Sequence, residues 1–185
     1  MTVSFPRVKG RLALTVGIAG VAGAQFASAG EEKLTTQSKI STVGLGPVRV
    51  GMTKREATQA AGRALRFLGP ATGNCRQMKP RRGPVKAVFM LIDGRVARVD
   101  VDQPSITTRS GVGVGDTEAK VRSTYPGRIR RSPHQYVPGG EYLEFVPRDS
   151  SEQSYRVIFE TNAANRVTLI RAGTLPGVRY AEGCA

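Results

Sequence analysis

The sequence reads Val48-Arg49-Val50-Gly51-Met52-Thr53 and, 64 residues later, Val112-Gly113-Val114-Gly115-Asp116-Thr117. Both segments follow the pattern V-x-V-G-x-T. Each is followed by a short helical pattern and then by a glycine, Gly62 or Gly127. Self-similarity at such a period predicts two copies of one supersecondary unit. Because two copies are too few for an open solenoid, we expect them to pack against each other.

The residues around the first segment predict a strand, a tight turn and a helix. Val48 and Val50 alternate with Arg49, as in a half-buried strand. Gly51 suits the strand-to-helix turn, where Thr53 and Glu56 form a capping box. The helical face of the first copy is then marked by alanines: Ala57, Ala60, Ala61 and Ala64. In the second copy Asp116 or Thr117 is the cap, and Val121 and Tyr125 mark the buried face.

Strand patterns follow each helix. The apolar run 85–92 and the alternating run 95–101 flank Asp93-Gly94, a strong hairpin signal. In 95–101 we expect Ala97, Val99 and Val101 to point inward and Arg98 and Asp100 outward. Further strands are predicted at 142–146, 155–160 and 166–171, with a turn at 162–165.

These patterns predict an α+β fold made of two related helix-plus-antiparallel-sheet units packed together. The first unit is expected at 42–105 and the second at 106–185. The sheet face away from the helices is expected to be more polar and available to a partner.

The first thirty residues read as a targeting signal. Arg7, Lys9 and Arg11 precede the uncharged, mostly apolar run 12–24, and Ala27-Ser28-Ala29 supplies small residues for cleavage. This layout is typical of a secretory signal peptide over 1–29, and the run is short for a membrane span. The alternative is an uncleaved N-terminal anchor. Residues 30–41 are polar and lack periodicity, so they are expected to form a flexible lead-in.

Composition limits the function classes. The 185-residue chain has a formal net charge of +14, and loss of the leader would leave 25 basic and 14 acidic residues, or +11. A charge of this sign favours anionic partners. One His and two Cys are too few for an all-protein zinc cage, and no other cofactor motif is present, so no metal or cofactor is predicted.

In an exported chain, Cys75 and Cys184 are expected to form a disulfide, since oxidising compartments favour bridges. The bridge would tie down the chain terminus and would stabilise the fold by about 4 kcal/mol. Two free thiols are the alternative. Neither cysteine has the C-x-x-C spacing of a disulfide-exchange enzyme.

Two basic clusters follow the two helical patterns, and both are predicted to lie in loops or hairpin ends on one side of the sheet. Their members are Arg76, Lys79, Arg81, Arg82 and Lys86 in the first cluster, and Arg128, Arg130 and Arg131 in the second. A joint patch would attract phosphate-bearing polymers, anionic lipid or an acidic protein surface. The alternative is a solvated surface that keeps the protein soluble. Stacking aromatics are sparse, which disfavours nucleic acid.

Catalytic patterns are weak. His134 is the single histidine and lies in a Pro-flanked segment, where a turn or surface role is favoured over general-base catalysis. Asp100 and Asp102 share a strand face beside Arg98 and are interpreted as solvated ion pairs. The glycines at 111, 113 and 115 do not match a nucleotide-binding fingerprint and are interpreted as turn residues.

The segment Val50-Gly51-Met52-Thr53 with Gly62 resembles the repeat of the β-lactamase inhibitory protein family and of small outer-membrane lipoproteins of the SmpA/OmlA type. The resemblance implies a helical segment on an antiparallel sheet. The second copy departs from it at Asp116, and the cysteines here lie far apart, whereas the inhibitor family pairs them within each unit. The mature chain also resembles small secreted bacterial proteins of unknown role.

The sequence therefore predicts an exported, non-enzymatic binding module, secreted or held in the periplasm or cell envelope. Its mature part lacks a membrane-spanning segment, and its partner would be a protein or an anionic envelope component. The alternative function is a small envelope hydrolase or transferase that uses His134 with a neighbouring carboxylate.

Overall fold

The computed structural model describes residues 33–184, so the predicted leader lies outside the described residues. Strands dominate this part of the chain, which confirms an α+β fold at the level of mixed helices and antiparallel strands. No helix within 33–184 is long and apolar enough to cross a membrane. The α-helices are α1 (Lys54–Ala61) and α2 (Glu118–Thr124), and short 3-10 helices occur at Ser150–Glu152 and Gly177–Arg179. The strands are β1 (Ile40–Ser41), β2 (Gly44–Leu45), β3 (Val48–Arg49), β4 (Leu65–Phe67), β5 (Cys75–Pro80), β6 (Val88–Ile92), β7 (Arg95–Val101), β8 (Ile129–Pro133), β9 (Glu141–Phe145), β10 (Tyr155–Thr161) and β11 (Val167–Thr174).

Eight strands form one antiparallel sheet in the order β4-β5-β6-β7-β11-β10-β9-β8, and β1, β2 and β3 form a small second sheet. The strands β4 to β7 run in sequence from one edge, and β8 to β11 run in sequence from the other edge. The two series meet where β7 pairs with β11, with Val99 opposite Ala172.

The first face of the large sheet carries the core. One row of cross-strand neighbours on this face spans all eight strands: Phe67, Met78, Phe89, Val99, Ala172, Val157, Phe145 and Ile129. The same apolar cluster contains Ala57 and Ala61 of α1 and Val121 of α2. Tyr125, after α2, packs its ring 5.0 Å from that of Phe145. Both helices therefore share one core with this face.

The two V-x-V-G-x-T segments make matching backbone contacts. The Gly51 N–H donates to Val96 O over 2.8 Å, and the Gly115 N–H donates to Val167 O over 2.8 Å. In return, the N–H groups of Val96 and Val167 donate to the residues after those glycines. The two glycines have φ of 87° and 93°, a left-handed conformation that favours glycine.

Local signals at the helix starts and hairpins agree with the sequence. Thr53 caps α1 in a complete capping box with Glu56, and Thr117 caps α2 by accepting from the Lys120 N–H. Asp93 and Gly94 both have positive φ and connect β6 to β7. This conformation matches the turn that the Asp-Gly pair predicts.

The folded part begins earlier than the sequence predicts. Leu34 is fully buried, and its N–H donates to Ala61 O over 3.2 Å. Ile40 is buried in β1. Most residues between Leu34 and Ile40 are polar, so the segment shows no hydrophobic periodicity in the sequence. Within residues 33–41, the expectation of a flexible lead-in is therefore wrong.

The orientation predicted for β7 is wrong on one face. Arg98 is 3% exposed although it alternates with buried valines, so it does not point into solvent. Residues 175–184, which we call the strap, cover it. The strap folds back over the second face of the large sheet, where Gly177 packs beside Met90 and Ile92. Its end is fixed to β5 by the Cys75–Cys184 disulfide, with an S–S distance of 2.07 Å.

Candidate functional site

The second face of the large sheet holds the charged and polar side chains that could meet a partner. One row of neighbours on six strands runs Arg130, Glu144, Ile158, Arg171, Asp100 and Val88. A single face thus carries alternating cations, carboxylates and aliphatic groups. The strap crosses this face. One groove lies between the strap and the β8 edge, and another lies toward the β4 edge and reaches Asp100 and Leu169 of the central β7–β11 pair.

Buried ion pairs hold the middle of this face. The Arg98 guanidinium contacts both carboxylate oxygens of Asp100, at 2.7 and 2.8 Å. Arg98 also donates to Tyr180 O in the strap over 2.6 Å. Burial raises the pKa of Asp100 above its ordinary range, against the attraction of Arg98. The expectation of a solvated pair at Asp100 is therefore wrong, since the strap excludes solvent from it.

A second ion-pair cluster lies nearer the β8 edge. Glu144 accepts from Arg156 at 2.9 Å and from Arg179 of the strap at 2.7 Å. Partial burial alone would raise the pKa of Glu144, but the hydrogen bonds from Arg179 and Arg156 outweigh it and hold the pKa below the ordinary 4.5. Glu160 is paired with Arg171.

His134 belongs to this second cluster. Its Nδ1 accepts hydrogen bonds from the backbone N–H groups of Tyr136 and Val137, at 3.1 and 3.2 Å. This leaves Nε2 to donate to Glu160 over 2.9 Å. The ring also stacks on Tyr142 with a centroid distance of 4.4 Å. Both ring nitrogens are thus engaged within the protein, and the arrangement positions the loop after β8.

The first basic cluster lines a groove at the β4 side, which we call the basic groove. Its volume is about 500 Å³. Its cationic lining residues are Arg66, Lys79, Arg81, Arg82 and Lys86. Among the described residues, none of these five side chains forms an ion pair or a hydrogen bond to a carboxylate. Asp100, bound to Arg98, and Asp102 are the acidic residues of the lining.

Arg76, a predicted member of the first cluster, is directed elsewhere. Its guanidinium lies 3.6 Å from the centre of the Phe67 ring, and its Nε donates to Gly69 O over 3.1 Å. Arg66 takes its place in the groove because β4 pairs with β5, which sets Arg66 opposite Lys79. Sequence reasoning missed Arg66, since it stands alone in the chain, outside any cluster of charges.

The second basic cluster lies at the other edge of the sheet. Arg128 donates to Val146 O, and Arg131 pairs with Glu118 and Glu141, each at 3.0 Å. Arg130 is exposed and has no charged partner within residues 33–184. Six strand spacings of about 4.8 Å separate β5 from β8. The structure therefore does not bring the two clusters together.

The other groove, which we call the strap groove, lies between the strap and β8, β9 and β10, with a volume of about 350 Å³. Its lining includes Arg130, Ser132, Tyr142, Ile158, Arg171, Arg179 and Ala181. Arg131 also lines it, and the sequence analysis identified Arg130 and Arg131 among the lining residues. Arg171 and Arg179 belong to none of the clusters or motifs identified in the sequence. They line the same groove only because the strap folds back over the sheet.

Comparison with known proteins gives little further information. No family model and no curated protein matches the chain. A crystal structure of the uncharacterized protein yfeY from Escherichia coli is similar, with 19% identity and a TM-score of 0.48, over 73% of this chain and 99% of that chain. An extracellular protein containing a SCP domain from Bacillus anthracis is similar over 68% of this chain and 44% of its own length, with 9% identity and a TM-score of 0.45. Neither similarity is close enough to carry an argument about function.

Proposed function

We propose that the mature chain is an exported, non-enzymatic binding protein built from two related α+β units, and that the basic groove takes an anionic partner. Of the two partner classes that the charge suggests, we favour a phosphate- or carboxylate-bearing component of the cell envelope over a protein. The units would span 42–105 and 106–185, with Lys33 to Ser41 packed beside them.

Export is supported by two independent features. The basic start, apolar run and small-residue site of 1–29 have the layout of a cleavable signal. The Cys75–Cys184 disulfide fits an oxidising compartment, where such bridges persist. Together they favour a secreted, periplasmic or envelope location.

The two-unit reading is supported by the sheet order and by equivalent contacts. Each proposed unit contains a helix followed by four antiparallel strands, β4 to β7 and β8 to β11. In each unit the N–H of the glycine before the helix donates to a carbonyl at the start of the last strand. The acceptor is Val96, the second residue of β7, in one unit and Val167, the first residue of β11, in the other. A side chain also repeats its role: Arg95 and Arg166 donate to the carbonyls of Gly51 and Gly115.

The single observation that carries the functional proposal is the group of five cations without carboxylate partners around the basic groove. An exposed ion pair contributes little to the free energy of folding, so a single surface cation is tolerated with or without a carboxylate partner. Five unpaired cations around one concavity repel one another, and an anion placed among them relieves that repulsion. Among residues 33–184, the groove lining contains no aromatic residue, whereas protein interfaces are enriched in aromatic anchors. This favours an anionic polymer or lipid headgroup.

Binding to phospholipid vesicles and to inorganic polyphosphate tests the proposal. The chain from Gly30 onward is mixed with vesicles of phosphatidylcholine, with or without phosphatidylglycerol, and separately with polyphosphate. We expect saturable binding to an anionic probe that weakens as salt increases. The triple variant Lys79→Glu, Arg81→Glu, Arg82→Glu should lower the affinity at least about tenfold.

A matched control separates the groove from net charge. The variant Arg55→Glu, Arg109→Glu, Arg148→Glu removes the same charge from exposed positions outside the groove. It should retain most of the binding. Equal losses in the two triple variants, or no binding to either anionic probe, would overturn the proposed partner class.

A further inference from the structure

The strap groove differs from the basic groove because its lining combines an aromatic residue with cations. Tyr142 and Ile158 contribute an aromatic and an aliphatic surface from neighbouring strands. Ala181 and Arg179 of the strap contribute to the lining from the other side. The volume of about 350 Å³ lies near the lower end of the range for small-molecule sites. A pocket with an apolar floor and polar edges is typical of such sites.

The charges at this groove leave an excess of cations. Four arginines line it, against one carboxylate, Glu144. Glu144 is shared between Arg156 and Arg179. Arg171 is paired with Glu160, and Arg131 is paired with Glu118 and Glu141 outside the lining, so Arg130 carries the excess charge. Arg130 keeps an exposed guanidinium with no charged partner in the described part of the chain, in the same cross-strand row as Ile158 and Arg171.

Two buried polar atoms in the lining residues also lack partners. Within residues 33–184, the Tyr142 hydroxyl and the Arg171 Nε have no hydrogen-bond partner, although both are covered from solvent. Buried donors without partners are rare and need an explanation. An acceptor group of a ligand in the groove would supply such a partner. Tyr142 forms part of the apolar floor, and Arg171 lies in the same cross-strand row as Ile158.

We propose that the strap groove binds a small amphiphilic anion, an apolar body with one carboxylate or phosphate group. The apolar body would lie on Tyr142 and Ile158, and Arg130 would hold the charged group. The disulfide-anchored strap would form the opposite wall. This inference is independent of the polyanion partner at the basic groove, since the two grooves share no lining residue.

Fluorescent probe binding tests the inference directly. The probe is 1-anilinonaphthalene-8-sulfonate, and uncharged N-phenyl-1-naphthylamine is its matched analogue. We expect the sulfonate to bind saturably with one site per chain and at least about tenfold more tightly than the uncharged analogue. Octanoate or octyl phosphate should displace it, which identifies the preferred charged group, and octanol should not.

Two variants locate the site. Ala181→Trp fills the groove from an exposed strap position, and Arg130→Gln removes the unpaired cation. Each should lower affinity for the sulfonate at least about tenfold, while Arg148→Gln should leave it unchanged. Displacement by octanol, or unchanged affinity in both groove variants, would overturn the inference. Vesicle and polyphosphate binding should persist in Ala181→Trp, so failure of this site and failure of the proposed function remain distinguishable.

Discussion

Arg98 of β7 lies directly opposite Gly173 of β11, at the pair of strands where the two halves of the sheet meet. Arg98 binds Asp100 on its own strand and the carbonyl oxygens of Gly177 and Tyr180 in the strap. The strand junction and the strap are thus linked through one buried guanidinium. The absence of a side chain at Gly173 permits the close approach of β7 at this point.

Substitution of Gly173 tests that close approach. A Cβ on Gly173 would collide with Ala97 O and lie 2.8 Å from the Arg98 Cα. Because both neighbours are backbone atoms, the strands must separate, and Gly173→Ala should lower the free energy of unfolding by about 3 kcal/mol. Urea denaturation followed by circular dichroism measures the change.

The matched control for that variant is Gly69→Ala. Gly69 has a similar φ, 149° against 159° for Gly173, but a Cβ there meets nothing within 4 Å. Its effect should be about 1–2 kcal/mol, from backbone strain alone, and therefore smaller than that of Gly173→Ala. Equal destabilisation by the two substitutions would show that backbone conformation, and not the contact with β7, decides the effect.

Removal of the disulfide should destabilise the chain and release the strap. The bridge joins residues separated by 109 positions. In the chain-entropy treatment, a loop of this size corresponds to about 4 kcal/mol. The double variant Cys75→Ser, Cys184→Ser should lose that amount in urea denaturation, and reduced wild type should behave in the same way.

Mass spectrometry provides the check on this bridge. The native, unreduced chain should have a mass about two daltons below that of the thiol form, as loss of two hydrogens requires. Alkylation of both cysteines without prior reduction would contradict the bridge.

The Glu144 cluster should make the stability of the chain fall in acid. The Glu144 pKa is lower in the folded chain than its ordinary 4.5, so the unfolded chain takes up its proton at higher pH. The stabilising contribution is present above pH 4.5 and is lost as pH falls through the folded pKa. Glu144→Gln should flatten this acid dependence and, at pH 7, cost about 3 kcal/mol because Arg156 remains buried.

The measurement is the urea midpoint of unfolding of the wild type and of Glu144→Gln, taken at several values from pH 7 down to pH 3. Glu152→Gln is the control. Within residues 33–184 the Glu152 carboxylate forms no ion pair, and its one hydrogen bond is from the Thr42 hydroxyl, at 3.5 Å. It should retain the acid dependence of the wild type. A Glu144→Gln curve parallel to that of the wild type would refute the assignment.

The sequence predicted the features that depend on neighbours in the chain. The Thr53–Glu56 capping box and the Asp93-Gly94 turn are local, and both are present. The burial of Arg98 is not local, because the carbonyl of Gly177 that it binds lies 79 residues away. Alternation along β7 therefore marked Arg98 as outward, while the strap buries it.

The same distinction applies to the grooves. Lys79, Arg81, Arg82 and Lys86 are clustered in the chain and were visible as a candidate surface. Arg66 joins them only through the pairing of β4 with β5. Arg171 and Arg179 reach the strap groove through the return of the chain terminus, which no periodicity indicates. The clustering of cations along the chain therefore indicated the basic groove, whereas the strap groove is formed by residues that only the tertiary structure brings together.

Leu34 offers the sharpest test of where the folded unit begins. The polar character of 30–41 predicts a flexible segment, yet Leu34 is fully buried in the main apolar cluster and Ile40 is buried in β1. Truncation of a buried leucine leaves a cavity as well as lost apolar burial, so Leu34→Ala should lower the free energy of unfolding by about 3 kcal/mol. Gln37→Ala, at an exposed position of the same segment, should change it by less than about 0.5 kcal/mol.

A chain that starts at Thr42 should be destabilised further, because it loses Leu34 and Ile40 together. Equal urea midpoints for the chains that start at Gly30 and Thr42 would show that residues 30–41 do not contribute to the stability of the folded unit.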